Sequence, residues 1–417
     1  MANGRHVVLS GEELALLTAV FWHGGLSRAE VAARLDVSRS KANALLLSLS
    51  ARDLIAESGT QPSTGGRRPE VLSLSAAIGV FVAIDIGATS LDVALLAPDM
   101  TVLAHRAEPA DVRNPPTQVF ARARDLLRTL LRERDLSPAA VRAIGVGVPG
   151  PVAFETGQLV EPPLMPGWQG FSIRDCLAED YDAPVFVDND VNLLALGTLW
   201  TVRAQLQNFI VIKIGTGIGC GIICHGALYR GADGSAGDVG HICVDPNGPQ
   251  CPCGNLGCVE AMAAGPALGR MATEVARSGR SGPLQSAWLE RGALSAIDLG
   301  DASRAGDPEA NRIIQQAGAH IGEMLASVIN FFNPSHVFIG GGVAQIGPSL
   351  LAAIRHSVYR RSLALSTRHL DLRYMPNPDT NGILGAGVLA IQEALLRPAQ
   401  PRPVSDRGRT PPNGSTR

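Results

Sequence analysis

His241, Cys251, Cys253 and Cys258 follow the spacing H-x9-C-x-C-x4-C. One imidazole and three thiolates make a closed tetrahedral donor set that suits structural Zn2+. The set leaves no open position for water, so the ion would brace a loop and not activate a nucleophile. Gly254 and Gly257 let the backbone turn tightly around it. Four of the seven cysteines lie between residues 243 and 258, and in a reducing compartment such clustering points to metal more than to disulfides. The alternative is a group of buried thiols.

Two glycine turns offer a second chemistry. Asp85-Ile-Gly-Ala-Thr89 and Gly215-Thr-Gly-Ile-Gly219 each follow a strand-like run, and Gly340-Gly-Gly342 follows a third. Paired turns of this kind can hold a nucleotide's phosphates through backbone N–H groups and threonine hydroxyls. The candidate contacts are Asp85, Gly87, Thr89, Gly215, Thr216, Gly217 and Gly341. No GxxxxGK[ST] loop occurs, which excludes a P-loop NTPase. Gly145-Val-Gly-Val-Pro-Gly150 matches GxGxxG, but Pro149 and Pro151 prevent the helix that a dinucleotide fingerprint requires. A third feature is Asn189-Asp190, at a strand end leading into a helix. An Asn beside an Asp can hold adjacent sugar hydroxyls, and the Asp can accept a hydroxyl proton in phosphoryl transfer. Helix capping is the structural alternative for this pair.

These groups need elements to position them. The 417 residues are 46% hydrophobic and 18% charged, with 46 Gly and 4% aromatics, which excludes general disorder and favours a glycine-turn α/β protein. Strands are expected at 80–86, 91–96, 143–148, 185–187, 209–214, 221–224 and 336–339. Helices are expected over 117–134, from 190 to about 200, and over 265–278, 311–332 and 385–396. The two halves each begin with a strand, a glycine turn and a strand. No run of 18 apolar residues is present, so no membrane span is expected, and no signal-peptide plan is seen; the expected compartment is the cytoplasm. Residues 397–417, rich in Pro, Arg, Ser and Gly, read as a disordered tail.

Residues 1–75 follow a different plan. Ser10-Gly-Glu-Glu13 and Ser27-Arg-Ala-Glu30 are capping boxes, and Ser38 caps a third helix whose apolar face is Ala42, Leu45, Leu46 and Leu49. The pattern is that of a winged helix-turn-helix, with wing strands near 54–56 and 71–74, the alternative being a three-helix packing unit with a solvated face. Ser38, Arg39, Ser40, Lys41 and Asn43 would meet double-stranded operator DNA, with Arg67 and Arg68 clamping phosphate or entering the minor groove. The formal net charge is −2, so any DNA contact must come from a local patch. Residues 38–68 supply one, with a basic excess of three. Of the 36 basic residues only Lys41 and Lys213 are lysine, read at this level as codon bias and not as chemistry.

Taken together, Asp85–Thr89, Gly147-Val-Pro-Gly-Pro151, Pro166-Gly-Trp168, Asn189-Asp-Val-Asn192, Gly215–Gly219, Gly237-Asp-Val-Gly-His241 and Cys251–Glu260 resemble the signatures of the ROK family of sugar kinases and sugar-responsive regulators. The resemblance covers about residues 79–396. The helix-turn-helix ahead of it, and the GRRP at 66–69, are similar to the regulator branch, which includes repressors of xylose, glucose-transport and N-acetylglucosamine genes. It implies a two-lobed actin/hexokinase-like (ribonuclease H-like) α/β body. Its first lobe would span 79–195 plus about 382–396, and its second, with the zinc loop, 196–381. It also implies a sugar effector held in the cleft by Asn189, Asp190, Asp238, His241 and Glu260, with His241 serving sugar and zinc through different ring atoms. Asp190 would be the general base in a kinase member, which would also need ATP and Mg2+. The kinase form reads D-x-G-G-T-K, whereas this chain has Ala88 and Ser90, and Asp238 stands where a Glu is usual. These changes speak against ATP use. The expected function is a sugar-responsive repressor acting as a homodimer or homotetramer; the alternatives are an active sugar kinase and a zinc-braced scaffold.

Overall fold

The computed structural model describes residues 9–60, 70–162, 165–203 and 205–397. Arg67, Arg68 and all but the first residue of the expected tail lie outside them.

The N-terminal unit comprises α1 (Gly11–His23), α2 (Arg28–Arg34) and α3 (Arg39–Ser50), then β1 (Ile55–Thr60) and β2 (Glu70–Leu74). Both expected capping boxes form, and Ser38 caps α3 by accepting the Lys41 N–H at 3.3 Å. Asp36 turns the chain between α2 and α3 with a left-handed φ of 52°. β1 and β2 pair antiparallel as the wing. Leu16, Leu17, Val31, Leu46, Leu49 and Leu72 fill the interior.

The body opens with β3 (Val80–Ile86), β4 (Ser90–Leu96), β5 (Val102–Pro109), α4 (Pro116–Glu133) and β6 (Val141–Val148). A small ribbon of β7 (Val152–Ala153) and β8 (Gln158–Leu159) precedes α5 (Ile173–Ala178), β9 (Val185–Asn189) and α6 (Asp190–Thr201). There follow β10 (Phe209–Ile214), β11 (Ile218–Cys224), β12 (Ala227–Tyr229), α7 (Val259–Ala263), α8 (Gly265–Arg277), α9 (Gly282–Arg291), α10 (Ala296–Arg304) and α11 (Pro308–Phe332). The last elements are β13 (His336–Gly340), α12 (Pro348–Arg361), α13 (Ala364–Thr367), β14 (Asp371–Tyr374) and α14 (Asn381–Ile391).

The strands form two five-stranded sheets, ordered β5-β4-β3-β6-β9 and β12-β11-β10-β13-β14. Each is an antiparallel meander extended by two parallel strands, so the two halves share one plan. α6 and α14 lie between the sheets, with α14 against β3 and β6 and α6 against β10 and β11. Glycines allow this closeness: a Cβ on Gly385 would overlap the Leu193 carbonyl oxygen, one on Gly197 that of Asn381, and one on Gly145 that of Ala386. The first glycine of the GxGxxG run is therefore a helix-packing residue.

Several boundaries differ from the sequence reading. β11 begins at Ile218 and not at 221, which shortens the glycine turn to 215–217. The closing helix begins at Asn381, four residues before the expected 385. α6 runs through residue 195 without a break, so the division between lobes placed there falls inside a helix. The reading assigned nothing over 102–109, 282–304 or 348–374, where β5, α9, α10, α12, α13 and β14 form.

Gly385→Ala should lower the unfolding free energy by about 3 kcal/mol, since a methyl pressed on backbone cannot be relieved by a rotamer change. Gly282→Ala, with nothing within 4 Å of the added carbon, should change it by less than about 0.5 kcal/mol. Urea unfolding of the two variants measures the difference.

Candidate functional site

Between the two sheets lies a cleft of about 1190 Å³. The β3–β4 turn supplies Gly87 and Thr89, the start of α6 supplies Asn189 and Asp190, and the β10–β11 turn supplies Gly215, Thr216 and Gly217. Asp238, His241 and Glu260 complete the same wall. All five expected sugar contacts therefore line one cavity, as do five of the seven expected nucleotide contacts. Asp85 and Gly341 are absent from the lining; Gly341 is pressed against the Ile214 carbonyl of β10.

Local chemistry fixes each group. Asn189 caps α6: its Oδ1 accepts the Val191 N–H at 2.9 Å and its Nδ2 donates to the Gly150 carbonyl at 2.8 Å. The capping role foreseen for it is thus real, and its amide is oriented by it. Asp190, 5% exposed, sits at the helix N-terminus, where the dipole favours a carboxylate. Glu260 Oε2 accepts the Ile218 N–H at 3.0 Å, and a Cβ on Gly217 would come within 2.6 Å of that oxygen.

His241 faces two ways. Its Nδ1 is 3.5 Å from the Cys251 Sγ, while its Nε2 is 3.8 Å from an Asp238 carboxylate oxygen at the cleft. The ligand atoms of His241, Cys251, Cys253 and Cys258 all lie within 4.8 Å of one another, a cluster that could hold a metal ion. Cys243 is exposed and outside it.

Sequence reasoning missed the charges behind and across the cleft. Lys213, on β10, donates to Asp190 Oδ2 at 2.5 Å, joining the second sheet to α6. Set aside by composition as codon bias, it is a cleft residue. Its signal was its rarity among 34 arginines and its place just before a glycine turn. Asp188, 2% exposed, accepts from Asn192 Nδ2 at 2.8 Å and Arg230 Nε at 2.8 Å. The Arg230 guanidinium in turn covers the Phe154 ring at 3.9 Å. Asp85 stands beside Gly147 on the neighbouring strand. Its buried Oδ1 has no hydrogen-bond partner. Burial pushes its carboxyl up to about 7, against the pull of Lys213 and with the repulsion of Asp190 and Asp92.

The far end of α6 meets the N-terminal unit. Trp200 packs on Phe21 and Trp22 of α1, with ring centroids 4.8 and 6.0 Å apart, and Arg203 covers the Trp200 ring at 4.5 Å. Within that unit Arg39, Ser40, Lys41 and Asn43 are exposed near the start of α3, while Ala42 is buried. Lys41 pairs with Glu12 of α1, and Ser38 is engaged in capping and with the Ser40 hydroxyl.

Residues 81–393 match the model of the ROK family. This chain belongs to the ROK family. The xylose repressor of Caldicellulosiruptor bescii is 26% identical over 95% of this chain and 99% of its own. A glucokinase of Halalkalibacterium halodurans is 30% identical, over 75% of this chain and 95% of its own. Among solved structures, a ROK family transcriptional regulator described as a homologue of the Escherichia coli MLC protein covers 92% of this chain and 98% of its own, at 26% identity and a TM-score of 0.77. The repressor-type relatives thus span nearly the whole chain, and the glucokinase three quarters of it. The ROK body here has the actin/hexokinase-like fold, with a helical unit ahead of it. Among the described residues no helix is long and apolar enough to cross a membrane.

The Asp85 carboxyl sets a pH dependence. Its folded-state pKa of about 7 exceeds the ordinary value of 3.8, so the folded chain holds a proton that the unfolded chain releases. Its contribution is fully present below the ordinary value and is lost as pH rises to about 7. Asp85→Asn should therefore gain stability relative to the wild-type chain, by about 3 kcal/mol between pH 5 and pH 8. Denaturant unfolding at the two pH values measures this.

Proposed function

We propose that this protein is a sugar-responsive DNA-binding repressor of carbohydrate-metabolism genes. The observation that carries the reading is the course of α6. Its first residue, Asp190, lines the cleft, and Trp200, roughly 15 Å further along the axis, packs against α1 of the DNA-binding unit. A sugar that binds one lobe arrangement better than another would move this rigid helix and the unit resting on it. The shift can be no larger than the ligand's differential affinity for the two states.

In this reading Asn189, Asp190, Asp238, His241 and Glu260 hold the sugar hydroxyls. The first turn of α3 enters the major groove, where Arg39 and Lys41 suit guanine and Asn43 suits adenine. A single reading head is small, so the protein acts as a homodimer or homotetramer on an inverted repeat, in the cytoplasm. Arg67 and Arg68 add phosphate or minor-groove contacts.

The metal is zinc. A tetrahedral ion with bonds of about 2.3 Å to sulfur and about 2.05 Å to nitrogen has edges near 3.8 Å between sulfurs and 3.5 Å between sulfur and nitrogen. Cys253 and Cys258 are 3.7 Å apart, and Cys251 and His241 Nδ1 are 3.5 Å apart, so the donor set fits. Burial pushes the Cys258 thiol up to about 12, and a bound cation would take the place of its proton. The ion would tie the 241–258 loop to Glu260 and so brace the sugar wall. Elemental analysis of protein purified without added metal should find one zinc per chain, and Cys253→Ser should lose it together with the sugar response. Folded protein with far less zinc and a normal response would contradict this.

The kinase alternative draws on Asp190 and on the glycine turns lining the cleft, and would require ATP and Mg2+. One mutant separates the two. Asp190→Asn keeps shape but removes a charge-assisted hydrogen bond of about 1.5–3 kcal/mol, so sugar affinity should fall by roughly one to two powers of ten. Operator affinity should hold, with release requiring more sugar, whereas Arg39→Ala combined with Lys41→Ala should abolish operator binding. Gel shifts across a sugar titration, with ATP turnover in parallel, decide it. Wild-type turnover at ordinary kinase rates with sugar-blind DNA binding would favour the kinase.

A further inference from the structure

We propose that Lys213 is a tethered counter-ion that determines what the cleft accepts: it holds the Asp190 carboxylate that phosphoryl transfer would need free and repels a divalent cation approaching Asp190 and Asp85, so the cleft binds sugar without phosphorylating it. The inference deepens the repressor reading and rests on it.

The geometry starts from β10. Its neighbours in register at Lys213 are Gly219 on β11 and Gly340 on β13, so no side chain flanks the lysine along the sheet. On this face a Cβ at Gly219 would touch Val191, the residue after Asp190. The lysine therefore points at the start of α6, where its ammonium lies 2.5 Å from Asp190 Oδ2. The two side chains are 26% and 7% exposed, so the pair is shielded from bulk water and its attraction is little screened. Lys213 also feels Asp85, the buried carboxylate whose Oδ1 has no partner.

The chemistry follows from the residue types. Phosphoryl transfer needs a carboxylate free to take the hydroxyl proton and a divalent cation on the phosphates. Here one oxygen of Asp190 already faces an ammonium, and Asp85 lies within the same positive field. A divalent ion entering beside that ammonium would be repelled at short range in a half-dry site. A neutral sugar hydroxyl meets no such barrier and can donate to the remaining Asp190 oxygen. The ammonium itself is a telling choice. In a chain whose basic residues are otherwise arginine save Lys41, this position carries the compact point charge that fits end-on against one carboxylate oxygen, where a planar guanidinium would spread over both. Among the described residues lining the cleft, Lys213 is the one lysine.

Mn2+ alone, followed by electron paramagnetic resonance at pH 8 with the full-length chain, tests this. Wild-type protein should show no Mn2+ uptake that Asp190→Asn alters. Lys213→Met should gain a site at least tenfold tighter, and adding Asp190→Asn or Asp85→Asn should remove it. Lys213→Gln, with a neutral polar head, serves the same purpose if the methionine variant does not fold. Wild-type Mn2+ uptake that depends on Asp190, or a folded Lys213 variant with no gain, would overturn the proposal. Loss of sugar-dependent operator release in the wild-type chain would instead sink the repressor reading, and it is measured separately by gel shift.

Discussion

The architecture depends on one buried helix. Every residue of α6 from Asp190 to Trp200 is buried, because the helix is covered by β10 and β11 on one side and α14 on another. A helix held this way cannot tilt without disturbing both sheets. Glycines make the confinement possible, since the backbones of α6 and α14 approach too closely for any side chain between them at Gly197 and Gly385. Interiors packed to this density behave as discrete alternatives and do not deform smoothly. A small change at Asp190 therefore has one rigid route to Trp200 and the aromatic pair on α1.

Around the start of that helix the fold concentrates charge, in the cleft and behind it, in an ordered way. Asp188, Asp190 and Asp85 come from two strand ends and a helix start, and each is mostly or fully buried. Asp188 is balanced by Arg230 and Asn192, and Asp190 by Lys213, while Asp85 Oδ1 has no hydrogen-bond partner. Breaking a buried pair by removing one partner leaves an uncompensated charge and is costly. The wall that would meet a sugar is consequently stiff. His241 extends the same logic, because one ring nitrogen faces the cysteines and the other the cleft.

Local signals in the sequence determined a good deal. Ser10–Glu13, Ser27–Glu30 and Ser38 fixed the starts of the three N-terminal helices because capping is decided within four residues. The H-x9-C-x-C-x4-C spacing assembled as a compact donor cluster because short loops leave those side chains few places to go. β3 and β10 were legible as continuous apolar runs, as expected of strands covered on both faces. By contrast, β5 is an edge strand with no buried residue and no alternation of apolar and polar positions, and α9, α10 and α13 are short and weakly patterned, so periodicity gave no notice of them.

What the tertiary structure alone decided is which distant charges meet. Lys213 is 23 residues from Asp190, and Arg230 is 42 from Asp188. No rule of spacing connects them: Lys213 on β10 reaches the start of α6, and Arg230, just past β12, reaches Asp188 near the end of β9, so each contact follows from how the two sheets are placed. The same holds for Gly145, whose GxGxxG run the flanking prolines excluded as a dinucleotide fingerprint and whose place is under α14, and for Phe21 and Trp200, whose packing unites two units far apart in the chain. Capping and ligand spacing act over a few bonds and are written in the sequence. Ion pairs and helix crossings act through space, and only the folded arrangement of the sheets sets those distances.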